Sequence, residues 1–285
     1  MNAVATPTQL QPSLLDLFQG PERIRADISN EDYHADRSCV SVSGLKKLLR
    51  SPAHFRHSQI TVHNETPAMF FGTALHTAVL EPERFASDYV IAPPDNKNTK
   101  TYKTFVEENA DKLILSAALK EQIDAMVSVI YAHGSARTLI RAGLKEHTII
   151  WRDEETGIWL KIRPDNLVMD FGRAICLDLK SCEDASPEAF ARNCVNYDYD
   201  LQAAVYLNGI RSALETDAEF AFLASEKEAP HGCALYGAPE KMLVRGERRF
   251  REALQTLKRC RETDRWDCYQ PAGDYSMLDW PRWAA

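Results

Sequence analysis

The chain has no C-x-x-C pair, no G-x-x-x-x-G-K-[ST] loop and no apolar run near the roughly 18–20 residues a membrane-spanning helix needs. Each absence removes a class of function. Without paired cysteine spacing, zinc knuckles, iron–sulfur clusters and thioredoxin-like redox sites have no scaffold. The seven cysteines are scattered and odd in number, which predicts reduced thiols in a cytoplasmic protein. Met1 to Gly20 lacks a basic start followed by an apolar block, so neither a secretory signal nor a membrane association is expected. The missing phosphate loop argues against ATP as a cofactor. Positive charge is also scarce, and the net charge is −7. That excludes a nucleic-acid binder relying on overall charge, though a local basic face remains compatible with it.

What is present is an ordinary globular composition over 285 residues, with no internal repeat and no clear linker. The pattern predicts one α/β domain over residues 28–285, with an N-terminal helical elaboration, preceded by a poorly patterned flexible arm over residues 1–27. Ser41-Val-Ser43 offers a serine to cap a short helix from Gly44 to Arg50, and Ser51-Pro52 ends it and can start another through His57. Lys46, Lys47, Arg50 and Arg56 crowd these turns, as a phosphate-contacting face or as a solvated one. Pro67 to Leu80 reads as a buried apolar helix carrying His76, and residues 92–104 as a turn-rich loop bearing Lys97, Lys100 and Lys103. Leu113 to Ile140 reads as helical with a break at Gly134. A β-rich block follows: a strand from Glu146 to Trp151, a turn at Asp153–Gly157, a returning strand from Ile158 to Arg163, and a strand from Arg173 to Lys180. Then come a helix from Asp198 to Leu214, strands at Glu219–Ala224 and Cys233–Tyr236, and a long basic helix from Pro239 to Thr263. An aromatic tail closes the chain.

The chemistry-bearing segment is Pro164-Asp165, twelve residues, then Asp178-Leu179-Lys180. Asp178 and Lys180 are two apart on a strand and share a face. The strand before Asp178 is apolar on both faces, which predicts a central position, where charges at its end are costly unless paired or ligated. Pro164 interrupts the preceding strand, so a hairpin-like return can bring Asp165 beside Asp178. Two converging carboxylates make a hard-oxygen site suited to Mg²⁺ or Mn²⁺, and a neighbouring lysine can orient a water or stabilise developing charge. These are the parts of metal-assisted phosphodiester hydrolysis. An ordinary surface pair on an edge strand is the competing reading.

P-D-x12-D-x-K is the signature of the PD-(D/E)XK nuclease superfamily, and the order of helix, three strands, helix and strand from Leu113 to Ala224 resembles its core. Gly72-Thr-Ala-Leu-His76 resembles the upstream G-x-x-x-H motif of RecB-like nucleases, and Gln202-Ala-Ala-Val-Tyr206 their downstream Q-x-x-x-Y motif. Tyr33-His34, Val42-Ser-Gly-Leu-Lys46, Ser51-Pro-Ala-His-Phe55 and the closing Trp266…Pro281-Arg-Trp283 are similar to the nuclease domain of RecE, an exodeoxyribonuclease VIII-type enzyme. The resemblance covers residues 28–285. It implies a central mixed sheet flanked by helices, as in restriction endonucleases. It implies that Asp165, Asp178, Lys180, Gln202 and Tyr206 serve catalysis, with Gln202 and Tyr206 on one helix face touching the DNA backbone or the lysine. It implies that His76, Asp165, Asp178, the Leu179 carbonyl and Glu146, at the start of the first strand, serve the metal. Arg163 meets phosphate or pairs with Glu146 or Asp170.

The implied activity is a metal-dependent, ATP-independent 5′–3′ exonuclease on double-stranded DNA. It would leave 3′ single strands for a RecT-like annealing protein and work as a ring-shaped homo-oligomer, a tetramer being favoured. RecE carries a long region ahead of its nuclease domain, so the resemblance is to a compact bacterial phage or prophage version. Two alternatives stay open: a structure-specific or restriction-like endonuclease, and an inactive nuclease fold serving as a DNA-binding module.

Overall fold

The computed structural model describes residues 13–18, 23–61, 66–94, 96–170, 173–271 and 273–279. Trp280, Pro281 and Trp283 lie outside the described residues. The chain opens with α1 (Leu14–Leu17), β1 (Ile24–Arg25), α2 (Asn30–Ala35), α3 (Val42–Arg50), α4 (Pro52–Ile60), α5 (Pro67–Leu80), α6 (Pro82–Asp88) and β2 (Tyr89–Ile91). The middle runs α7 (Lys100–Glu108), β3 (Leu113–Leu115), α8 (Ala117–Ala132), α9 (Gly134–Arg141), β4 (Leu144–Lys145), β5 (Thr148–Arg152), β6 (Trp159–Ile162), β7 (Asn166–Asp170) and β8 (Arg173–Cys182). It closes with α10 (Pro187–Asn196), α11 (Tyr199–Leu214), β9 (Ala218–Glu226), β10 (Cys233–Gly237) and α12 (Glu240–Thr263).

A five-stranded sheet, in the order β10-β9-β8-β7-β4, forms the centre. β8 is its middle strand, parallel to β9 from Ala174↔Ala218 to Cys182↔Glu226 and antiparallel to β7 from Asn166↔Leu177 to Asp170↔Arg173. The β8–β9 connection passes through α10 and α11, as a parallel pair requires. Alternation along β8 divides the core. Ala174, Cys176 and Cys182 join α11, α12 and β9 in one cluster, while Leu177 and Leu179 join α5 and α8 in the other. Asp178 and Lys180 take the α11 side by the same alternation. The approach of α12 to α11 is set by Gly246, where any Cβ would collide with the Asp200 carbonyl oxygen.

The three strands of the β-rich block do not form one meander. β5 and β6 pair with each other and with β1 in a separate three-stranded sheet, whereas β7 and β8 belong to the central one. The break falls at Pro164, which has no N–H to offer a ladder.

The arm expected over residues 1–27 is corrected in part. Ile24–Arg25 pair with Ile149 and Thr148, and Leu14 and Phe18 are buried with Ile28, Tyr33, Cys39 and Ile150. Burial of these apolar side chains outweighs the weak local pattern that suggested a free segment. The lysine-bearing loop is shorter than expected because Thr99 caps α7 through the Tyr102 N–H, putting Lys100 and Lys103 on a helix. No helix among the described residues is long and apolar enough to cross a membrane.

Candidate active site

β7 begins only at Asn166, so the edge of β8 beyond Leu177 has no ladder partner on that side. Asp165 fills this gap. Its Oδ2 accepts the Leu179 N–H at 2.6 Å. A strand residue sends its N–H and C=O to the same edge, so the Leu179 carbonyl faces the same gap. Asp165 enters from the bend after Pro164, and Asp178, on the α11 face, lies close enough to feel its charge.

Helix α5 supplies His76, whose Nδ1 lies 3.4 Å from Asp165 Oδ2. Glu146 comes from the β4–β5 connection, not from the strand start expected, since β5 begins at Thr148. It holds φ 52°, a left-handed conformation that an ordinary residue adopts at a cost of about 1–2 kcal/mol. One ligand atom each from His76, Glu146 and Asp165 lies within 4.8 Å of the others. Burial, and then the Asp165 charge, pushes the Glu146 carboxyl up to about 8. A polar cluster that accumulates carboxylate and imidazole donors while making ionisation costly fits a divalent cation, which would relieve that repulsion.

Asp178 is fully buried. Its Oδ1 accepts the Gln202 Nε2–H at 2.6 Å, and its Oδ2 is ion-paired at 2.6 Å with Lys180 Nζ. Burial raises the Asp178 carboxyl above the usual carboxylate range, with Lys180 opposing and Asp165 adding to the rise. Burial alone would lower the Lys180 ammonium, but Asp178 and Asp165 outweigh it and hold the proton on. Lys180 Nζ also sits 4.9 Å from the centre of the Tyr199 ring.

The structure thus brings together His76, Glu146, Asp165, Asp178, Leu179, Lys180 and Gln202. It turns two expected residues elsewhere. Arg163 is buried and donates to Thr148 Oγ1 and to the Ile28 and Ser29 carbonyls, beneath the Tyr33 ring. The phosphate contact considered for it is corrected, because a guanidinium consumed by inward bonds does not face DNA. Tyr206, expected to touch the DNA backbone or the lysine, donates to the Arg163 carbonyl at 3.2 Å and so braces the bend before Asp165.

The basic candidates divide three ways. Lys46 stands beside the site, donating to the Tyr197 carbonyl at 2.5 Å. Arg50 and Arg56 engage the C-terminal segment through the Tyr269 hydroxyl and through Asp264 and the Trp266 ring, and Lys47 is half-buried. Lys97, Lys100 and Lys103 are exposed. The sequence reading missed Tyr197 and Tyr199, although an aromatic pair three and five residues before Gln202 on the way into its helix was a visible signal.

The family described as a PDDEXK-like domain of unknown function (DUF3799) matches residues 41–276. Among solved structures, one from Eubacterium rectale titled a "putative exonuclease" superposes with a TM-score of 0.60 at 14% identity, covering 90% of this chain and 96% of that one. At that identity the likeness is one of fold. A second solved structure, at 13% identity over 69% of this chain and 88% of that one, reaches a TM-score of only 0.28 and carries no argument. No curated protein matches the chain.

Proposed function

We propose, on the premise that this chain belongs to the PDDEXK-like domain family, that it is a metal-dependent, ATP-independent 5′–3′ exonuclease on double-stranded DNA. The observation that carries the nuclease reading is the meeting of Asp165, Asp178 and Lys180 at the open edge of β8, with His76 and Glu146 alongside. His76, Glu146, Asp165, Asp178 and the Leu179 carbonyl would hold Mg²⁺ or Mn²⁺. When bound, the cation supplies charge neutralisation at the phosphate and a more acidic water.

The protein's own groups then have separate tasks. Gln202 fixes Asp178 by a short hydrogen bond, so the carboxylate is aimed before substrate arrives. Lys180 keeps its proton between the two aspartates and is a donor rather than a base. Its ammonium can hold a non-bridging oxygen or the attacking water, and can stabilise charge as it builds in the transition state. The Leu179 N–H bond to Asp165 anchors the second carboxylate to the strand edge.

Duplex ends as substrate, 5′–3′ polarity, a RecT-like annealing partner and a tetrameric ring are supported by the sequence resemblance to RecE-type nucleases. The fold neighbour's title agrees with exonuclease chemistry. The test is digestion, with and without Mg²⁺, of linear duplex labelled at the 5′ or the 3′ end and of a covalently closed circle. Loss of the 5′ label as mononucleotide from linear DNA, with the circle intact, is the expected result. Cleavage of the circle would favour an endonuclease. No cleavage of any substrate would favour a DNA-binding module.

A further inference from the structure

The corner between α10 and α11 is built with unusual care for a surface connection. Tyr197 caps the C-terminal end of α10 and Tyr199 begins α11, with Asp198 between them at φ 55°. Arg249 of α12 locks that corner, with Nη2 2.6 Å from Asp198 and Nη1 2.9 Å from the buried carboxylate of Asp200. Asp200 is bound a second time by Arg245 at 2.6 Å. A left-handed residue held by a half-buried ion pair is a conformation the surroundings enforce.

What this corner presents is specific. The Tyr199 ring packs on Phe222 and carries two lysines, Lys180 Nζ at 4.9 Å and Lys46 Nζ at 5.6 Å from its centre. Lys46 comes from α3, far away in sequence, and is tied to the corner by the Tyr197 carbonyl. Among the described residues it forms no ion pair. Tyr197 stands beside Tyr199, ring centres 5.8 Å apart, yet remains 59% exposed. An ammonium in no direct ion pair among the described residues, though within the field of Asp198, Asp178 and Asp200, and an exposed aromatic face therefore lie one ring away from Lys180.

We propose that Lys46 and Tyr197 form a nucleotide subsite flanking the scissile phosphate, with Lys46 holding a neighbouring phosphate and Tyr197 stacking on the attached base. This rests on the nuclease reading for its orientation. Stacking on a tyrosine face tolerates any base, which suits an enzyme that must process DNA irrespective of sequence. Burial and the nearby Lys180 disfavour the Lys46 charge, and a bound phosphate would relieve both. Lys46 thus meets phosphate beside Lys180 and with a base-binding partner in Tyr197.

The test is equilibrium binding of a short labelled linear duplex in Ca²⁺, which withholds cleavage, by the wild type, Tyr197→Ala, Tyr197→Phe and Lys46→Ala. Circular dichroism verifies that each is folded. Tyr197→Ala should weaken binding roughly 5- to 150-fold, the range of one stacked base, and Tyr197→Phe should restore it. Lys46→Ala should flatten the dependence of affinity on salt by a slope of about 0.9, the value of one duplex phosphate. An abasic nucleotide moved along the strand should weaken wild-type binding at one position where Tyr197→Ala is insensitive, since the base and the ring then act as one pair. Unchanged affinity in Tyr197→Ala, an unchanged salt slope in Lys46→Ala, or an abasic penalty as large in Tyr197→Ala as in the wild type would overturn the subsite. Failure of the wild type to cleave in Mg²⁺ would remove the nuclease reading while leaving this binding comparison to decide the subsite.

Discussion

Gln202 donates its side-chain N–H to Asp178 Oδ1 at 2.6 Å, inside the protein and across from the Lys180 ammonium on the other carboxylate oxygen. Both groups that restrain Asp178 are therefore in place before any substrate. Gln202→Ala leaves Oδ1 buried without its donor and the carboxylate free to turn. The expected outcome is a loss of about 10- to 100-fold in kcat with little change in KM, as for other groups that orient a metal-binding carboxylate. Steady-state kinetics on linear duplex measure it, and a rise in KM alone would argue that Gln202 contacts DNA instead.

His76 sits on an apolar helix, and a histidine there could simply fill the core. Its Nδ1 lies 3.4 Å from Asp165 Oδ2 and its side chain is 27% exposed, which suits a ligand better than a filler. His76→Ala should lower Mn²⁺ affinity at least roughly tenfold in calorimetric titration, with the melting temperature little changed. An unchanged affinity with a large fall in melting temperature would mark a core residue.

Lys161 and Asp36 form a buried pair at 3.1 Å, with 4% and 3% of their side chains exposed. Lys161 also donates to the Tyr33 and Asp36 carbonyls at 2.5 and 2.9 Å. Together with Arg163 it clamps the segment around α2 onto β6. Lys161→Ala removes the cation from Asp36, which keeps the Leu14, Ser38 and Cys39 donors, and urea unfolding should register a loss of about 1–3 kcal/mol. A change within the range of surface substitutions would contradict the clamp.

Burial, and then Lys180, pulls the Lys46 ammonium down to about 8, while Asp198, Asp178 and Asp200 oppose the shift. A lysine with a lowered value is charged below it and neutral above. The affinity Lys46 contributes is therefore present at pH 7 and lost as pH rises through about 8. Lys46→Arg remains charged across that range and should flatten the curve. Binding measured from pH 7 to 9 tests this, and parallel curves for the two proteins would contradict it.

Much of the fold was legible because its signals are local. Ser41, Ser51 and Pro52 mark the ends of α3 and α4, and the apolar run before Asp178 marks β8 as central. Of the candidate site, Asp165, Asp178 and Lys180 were legible as a spaced pattern and His76 and Glu146 only through the family resemblance, but their three-dimensional route was not. That Asp165 would seat on the Leu179 N–H depends on β7 ending short of it, a register that no single segment encodes. The inward turn of Arg163 is illegible for the same reason. An arginine beside an acidic motif looks alike in sequence whether it faces DNA or the carbonyls of Ile28 and Ser29. The packed pieces of the first 27 residues were illegible because two-residue strands and four-residue helices are stabilised by tertiary burial rather than by their own propensity.

The central claim is that Asp165, Asp178 and Lys180 act together on a phosphodiester. Its most direct test is release of acid-soluble nucleotide from uniformly labelled linear duplex by the wild type, Asp165→Asn and Lys180→Ala, in Mg²⁺ and in EDTA. The expected result is Mg²⁺-dependent release by the wild type and none above background by either variant, with all three proteins folded by circular dichroism. Release by both variants at the wild-type rate would contradict it.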